Sequence, residues 1–170
     1  MNQILAAVVT YNRLNMLKDC VSHIAGQSVP ADIMIVDNAS TDGTKDWAIS
    51  AIKEYSESIG PNIRIIYENT GANLGGAGGF NYAMRLSCEL GYDYIWIMDD
   101  DAFPEPDCLE KLMSAAEDLA AQQANDHTDA PASAPSFGFL SSVVLWTDGS
   151  LCKMNCTPKS GHKKKRRIVE

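Results

Sequence analysis

Ile4-Leu5-Ala6-Ala7-Val8-Val9-Thr10-Tyr11-Asn12-Arg13 is the stretch on which the fold turns. Its first six residues are all apolar and include β-branched ones, which suits a strand covered on both faces, as in a parallel sheet. The run then breaks into a hydroxyl, a phenol, an amide and a guanidinium. Behind it Leu14, Leu17, Val21 and Ile24 recur at helical spacing, which predicts a helix laying one apolar stripe back on the sheet. Strand, polar loop and helix form one unit, and Ser28 to Pro30 closes it.

The unit recurs. Ile33 to Val36 predicts a second strand, Asp37 to Gly43 a polar loop, and Trp47, Ala48, Ala51, Ile52 and Tyr55 the inner face of a second helix. Ile63 to Tyr67 predicts a third strand. Glycines at 71, 75, 76, 78 and 79 predict a loop, Phe80, Ala83, Met84 and Cys88 a third helical face, and Tyr94 to Met98 a fourth strand. Successive βα units imply parallel strands with right-handed crossovers. Pro104 and Pro106 open another helix, with Leu109, Leu112, Ala116 and Leu119 inward and proline accommodated in its first turn. Residues 121–136 lose periodicity and read as a flexible loop. Phe137 to Trp146 and Ser150 to Met154 flank Asp148-Gly149, which predicts an antiparallel hairpin. The fold class is α/β: a mostly parallel sheet flanked by helices, with a C-terminal hairpin. Residues 1–120 hold the βα units, and 137–170 the hairpin and a basic tail.

The chain has 170 residues, enough for one domain of ordinary size, and its 45% hydrophobic and 21% charged residues exclude a disordered polymer. No apolar run approaches the roughly 20 residues of a membrane span, and Ile4 to Thr10 lacks the flanks of a signal peptide. Five scattered cysteines (Cys20, Cys88, Cys108, Cys152, Cys156) make no four-ligand zinc site and read as reduced thiols of a cytoplasmic protein. Net charge is −8, yet Lys159, Lys163, Lys164, Lys165, Arg166 and Arg167 all fall in the last twelve residues, so the body is more acidic still. Such a body repels nucleic acid, which is excluded as the main ligand. An anionic substrate would need a metal or a local cation.

Ligands of open α/β sheets sit beyond the carboxyl ends of the strands. Every predicted strand end here is polar: Thr10 to Arg13, Asp37 to Ser40, Asn69 to Asn81, and Asp99-Asp100-Asp101. Three adjacent carboxylates repel one another, and a hard divalent cation relieves that. Asp99 and Asp101, two apart on an extended segment, point to one side and can share an ion, with Asp100 pointing away; the alternative is a solvated turn before a helix N-terminus. Asn73-Leu74-Gly75-Gly76-Ala77-Gly78-Gly79-Phe80 allows close backbone approach to a phosphate or sugar, or close packing of helix on sheet. It lacks the Lys-Ser or Lys-Thr of a Walker loop and the first-turn position of a dinucleotide fingerprint. Tyr11 can stack on a base, Arg13 can meet phosphate bidentately, and Asp37 can accept from a base or ribose, or from backbone donors of its own turn.

Together, Val8 to Arg13, Val36 to Thr44, Asn73 to Phe80 and Met98 to Ala102 resemble the inverting family 2 glycosyltransferases of GT-A fold, over about residues 3–120. The glycine-rich form with a triple aspartate is most similar to the galactofuranosyltransferase and rhamnosyltransferase branch. The resemblance implies transfer of a sugar from a nucleotide-diphospho-sugar, with a UDP-sugar expected, to a cell-surface glycan or lipid-linked acceptor. Thr10, Tyr11, Arg13, Asp37, Asn73, Gly75, Gly76, Asp99 and Asp100 become the expected donor-binding set. Asp99 and Asp101 match the DXD motif and become the expected ligands of Mg²⁺ or Mn²⁺.

The same resemblance calls for an acidic base further along the chain. Glu105 and Asp107 follow the metal motif too closely and Asp148 sits in a turn, so the base is expected beyond Glu170 and the chain reads as a donor-binding half. Residues 159–170 read as a solvated loop, a contact with anionic lipid at the inner membrane face, or a nucleic-acid contact. A nucleotidyltransferase would carry a glycine-rich basic loop after its first strand, where Thr10 to Arg13 has no glycine. A non-catalytic nucleotide-sugar binding or assembly module would share every donor-side residue.

Overall fold

A computed structural model of the chain describes residues 3–58, 63–125 and 138–152. Four strands, β1 (Ile4–Thr10), β2 (Asp32–Asp37), β3 (Ile65–Asn69) and β4 (Tyr94–Asp99), form one parallel sheet in the order β3-β2-β1-β4. Three helices join them: α1 (Leu14–Ala25), α2 (Thr44–Ser58) and α3 (Gly75–Leu90). A fourth, α4 (Cys108–Asn125), follows. The chain divides into two compact units, Met1–Pro106 and Asp107–Glu170, so α4 belongs to the second.

All seven residues of β1 are buried, as a strand paired on both edges and covered on both faces requires. Leu5, Ala7 and Val9 join Met34, Val36 and Ala83 in a core cluster on the α3 side, with Phe80, Leu86 and Ile95 packed against it. Fully burying a side chain the size of Leu or Met contributes about 1.5–3 kcal/mol. On α1, Leu17, Cys20, Val21 and Ile24 are buried, matching the predicted stripe. β4 departs from expectation: Tyr94, Ile95 and Trp96 are half-buried and Ile97 is exposed, because among the described residues this strand is paired on one edge only.

α3 differs more. The glycine-rich stretch is not a loop; the helix begins at Gly75, inside it. Its buried stripe is Gly79, Ala83 and Ser87, while Met84 and Cys88 face outward. The reason is distance: a Cβ placed on Gly79 would sit 2.5 Å from Val9 Cγ1 and 3.4 Å from Asn38 Nδ2. A helix this close to the sheet admits only small residues along its contact line, so a search for large apolar residues picks the wrong face.

Pro104 and Pro106, at the end of the first unit, precede α4 in sequence rather than lying in its first turn. Leu109, Leu112 and Ala116 are buried. α4 runs to Asn125, into the segment predicted as a loop, because Ala and Gln favour helix even without an amphipathic pattern. Of the hairpin, the described part is an antiparallel bridge between Leu145 and Leu151, closed by Trp146 N–H to Ser150 O at 2.7 Å and Cys152 N–H to Val144 O at 2.8 Å. The remainder of the loop and hairpin, and the basic tail, lie outside the described residues.

Gly79→Ala is expected to lower stability by about 2 kcal/mol, since overpacking a close-packed site costs roughly 1–3 kcal/mol. A methyl on Gly76 would meet only the Phe80 ring at 3.9 Å, so Gly76→Ala should be neutral or stabilising by up to about 1 kcal/mol. Urea denaturation midpoints of the two variants check this, and equal midpoints would remove close approach as the reason for Gly79.

Candidate functional site

Right-handed crossovers carry the chain from β1 to β2 to β3 in one direction; β4 then returns to the far side of β1. The carboxyl ends of β1 and β4 therefore lie side by side where the strand order reverses, and the crevice beyond them is the usual ligand position in such sheets. Val9 is in register with Asp99, and Thr10 with Asp37. That brings Thr10, Arg13 and the three aspartates together.

The aspartates alternate. Asp99 and Asp101 are exposed and Asp100 is buried. Thr10 Oγ1 donates to Asp100 Oδ2 at 2.7 Å, and Arg13 Nη1 donates to Asp100 Oδ1 at 2.9 Å and to Asp101 Oδ2 at 3.1 Å. Burial pushes the Asp100 carboxyl up, against the opposing pull of Thr10 and Arg13. Arg13 in turn is held charged, chiefly by Asp100. Both values rise, but the rise opposes the charge of the buried Asp100, where desolvation is the largest cause, and favours that of Arg13, where the attraction of Asp100 outweighs desolvation. Asp99 is also raised, first by burial and then by Asp101. Beneath them Cys20 lies buried 3.8 Å from Asp99 O, its thiol pushed up to about 12 by burial first and the aspartates second. At pH 7 it is a neutral core residue.

Mg²⁺ is usually held by one or two carboxylates plus substrate phosphates. Among the described residues no group of three or more His, Cys, Asp or Glu side chains could hold a metal ion. What the crevice offers is two exposed carboxylates, Asp99 and Asp101, that repel each other. This donor set fits a divalent cation completed by a phosphorylated ligand.

The loops after β1 and β2 are laced together. Asn12 N–H donates to Ser40 Oγ at 2.8 Å, and Thr41 N–H to Asn12 Oδ1 at 2.7 Å. Ser40 N–H donates to Asp37 Oδ1 at 2.8 Å, and Tyr67 OH to Asp37 Oδ2 at 2.7 Å, so Asp37 lies fully buried with both oxygens engaged inside the protein. α1 has no side-chain cap of its own; Asp42 accepts from Leu14 N–H at 2.9 Å across the loops and from the Thr44 hydroxyl at 2.6 Å. Desolvation opposes the Asp42 charge, but the bonds from Thr44 and Leu14 hold its carboxyl below the ordinary value. Asn12, Ser40 and Asp42 were not among the predicted site residues. Their polar type at strand ends was the available signal, and their pairing across loops was not visible without the fold.

Of the remaining candidates, Tyr11 is exposed at the crevice edge. Asn73 is exposed and its Oδ1 accepts from Gly75 N–H at 2.9 Å, opening α3. Gly75 and Gly76 form the exposed first turn of that helix. An open depression of about 350 Å³ at the start of α1 shares Arg13 with the crevice but none of the aspartates. Topology and charge, not volume, mark the site.

The sequence pattern described as "Glycosyl transferase family 2" matches residues 6–152. The chain belongs to that family. Among curated relatives it is 31% identical over 113 residues to an undecaprenyl-phosphate mannosyltransferase of Micrococcus luteus, covering 66% of this chain and 44% of the relative. It is 33% identical over 116 residues to galactofuranosyltransferase GlfT1 of Mycobacterium tuberculosis, covering 67% of this chain and 36% of that one. The chain thus spans less than half the length of the curated relatives it matches. The structure of S. aureus TarS 1-349 in complex with UDP superposes with a TM-score of 0.56 at 19% identity, over 69% of this chain and 32% of that one. The family 2 chain therefore has the GT-A-type α/β fold that its sequence implies.

Asp42→Ala in this glycosyl transferase family 2 chain is expected to cost about 1–2 kcal/mol, the usual loss on removing a helix-capping carboxylate. Because its pKa is depressed on folding, the contribution is complete above the unfolded value near 3.9 and is lost as pH falls through the folded value. Wild type and variant should differ in urea midpoint at about pH 7 and converge in stronger acid. A gap independent of pH would overturn the assignment.

Proposed function

We propose that this chain is the donor-binding part of a glycosyltransferase that moves a sugar from a nucleotide-diphospho-sugar, of UDP type, to a cell-surface glycan or lipid-linked acceptor with Mg²⁺ or Mn²⁺. The observation that carries the reading is the crevice between β1 and β4, where two exposed carboxylates and one exposed guanidinium meet. Family membership supports the transfer, and the name of the undecaprenyl-phosphate mannosyltransferase among the relatives supports a lipid-linked acceptor. The UDP in the TarS structure, which shares the fold, supports the choice of base.

In this reading Asp99 and Asp101 hold the cation, and Arg13 offers its outward edge to the diphosphate, for which a planar guanidinium is suited. Tyr11 supplies an aromatic face for the base. The first turn of α3, whose Gly75 N–H is already bonded to Asn73 Oδ1, offers the backbone N–H of Gly76, where anionic oxygens are favoured. Asp37 shapes the nucleoside end from beneath. A bound Mg²⁺ or Mn²⁺ acts as a Lewis acid that neutralises the leaving diphosphate. No residue is assigned as the base that deprotonates the acceptor. No helix among the described residues is long and apolar enough to cross a membrane. The scattered cysteines, read as reduced thiols, support a cytoplasmic location, and the basic residues 159–170 offer a solvated segment that can meet anionic lipid at the inner membrane face.

Calorimetric titration with UDP, UDP-galactose, UDP-galactofuranose, dTDP-rhamnose and GDP-mannose, with and without Mn²⁺, tests this. The expected result is Mn²⁺-dependent binding of the uridine compounds, reduced about tenfold or more by Asp99→Ala or Asp101→Ala at unchanged melting temperature. Binding without any transfer to acceptor would make the chain a binding module. Unchanged metal-dependent affinity in both variants would remove the metal assignment.

A further inference from the structure

The three aspartates after β4 are not equivalent, and Arg13 is what distinguishes them. One guanidinium nitrogen, Nη1, serves both Asp100 and Asp101, so both of its protons are engaged. The two halves of this bridge differ in strength. Asp100, with its side chain 4% exposed, is fixed by the bond from Thr10. Asp101, 49% exposed, is the kind of solvent-facing partner whose ion pair is worth little. The other edge of the guanidinium makes no hydrogen bond to a described residue, and the Arg13 side chain is 45% exposed.

We propose that Arg13 is the resident counter-cation of Asp101 and is exchanged for the divalent ion when a nucleoside diphosphate arrives. The inference rests on the donor-binding reading above. A guanidinium and a metal ion compete for the same carboxylate oxygen. A diphosphate offers the guanidinium a bidentate, doubly charged alternative, which an exposed single contact to Asp101 cannot match. The anchor on Asp100 keeps Arg13 at the crevice rim while its other contact changes, so the side chain turns rather than leaves. Metal and nucleotide then each raise the other's affinity by one common factor, part of which is carried by Arg13.

The test measures Mn²⁺ affinity, without nucleotide and with saturating UDP, by electron spin resonance of free Mn²⁺, in wild type, Arg13→Gln and Arg13→Lys. Arg13→Gln is expected to bind Mn²⁺ alone about tenfold more tightly, since a positive charge beside the ion is gone. The enhancement of Mn²⁺ affinity by UDP should shrink by a similar factor. Arg13→Lys keeps the charge but lacks the planar fork that grips a diphosphate bidentately, so its values should fall between the two. It also serves if the glutamine variant does not fold, in which case wild-type behaviour in Arg13→Lys overturns the exchange. Tighter Mn²⁺ binding with undiminished UDP enhancement would mean simple repulsion and overturn it, as would unchanged or weaker Mn²⁺ binding. If wild type shows no Mn²⁺-dependent UDP binding at all, the donor-site reading fails first and the exchange falls with it.

Discussion

The site exists because β4 returns to lie beside β1 instead of extending the sheet past β3. The pairing of Val8 with Met98 and Val9 with Asp99 is the constraint from which the rest follows. It puts the end of one wholly buried strand next to the start of a triple carboxylate. It also forces α3 across the opposite face from the one the earlier crossovers cover, so that this helix packs on β1, β2 and β4. Gly79 is the consequence: the helix that makes the crossing passes so near Val9 that a methyl group has no room.

Three adjacent aspartates are tolerable here because a turn sorts them. The expected extended segment ends with β4 at Asp99; Asp100 and Asp101 lie in a turn closed by Ala102 N–H to Asp99 O at 3.2 Å, in which Asp100 faces inward to Thr10 and Arg13 while its neighbours stay exposed. A buried carboxylate without partners would cost several kcal/mol. With two charge-assisted bonds it becomes a strut between the ends of β1 and β4, and the charges left in solvent are the two that remain available to a ligand.

The strands were legible in the sequence because continuous apolar runs such as Ile4 to Val9 have no other common use in a chain with polar loops between them. α1 was legible because large side chains line its inner face. α3 was not, since its inner face is Gly79, Ala83 and Ser87, and close packing hides from any search for bulk. Sheet order was equally out of reach: nothing local to Tyr94 to Asp99 says that this strand pairs with β1. The sequence spacing assumed an extended segment through Asp101, whereas a turn after Asp99 produces the burial of Asp100 alone, and the partners that Asp100 finds, 90 and 87 residues away, were not legible either.

Asp37 shows how a buried strand-end acid can set the geometry of the loops around it. Its oxygens take Ser40 N–H and Tyr67 OH, and burial pushes the Tyr67 phenol up to about 12, so that phenol remains a donor at any physiological pH. Ser40, fixed in this way, takes Asn12 N–H, and Thr41 N–H donates to the Asn12 side-chain oxygen. Asn12 then holds a left-handed backbone, φ 53, which asparagine tolerates, and Ala39 holds one at φ 64, which costs an alanine about 1–2 kcal/mol. The strain is sustained only because these bonds over-determine the turn. Asn12 lies between Tyr11 and Arg13, so the direction in which the phenol and the guanidinium leave β1 is set by a carboxylate on β2. A substitution at Asp37 therefore reaches Tyr11 and Arg13 through Ser40 and Asn12, without any direct contact with either.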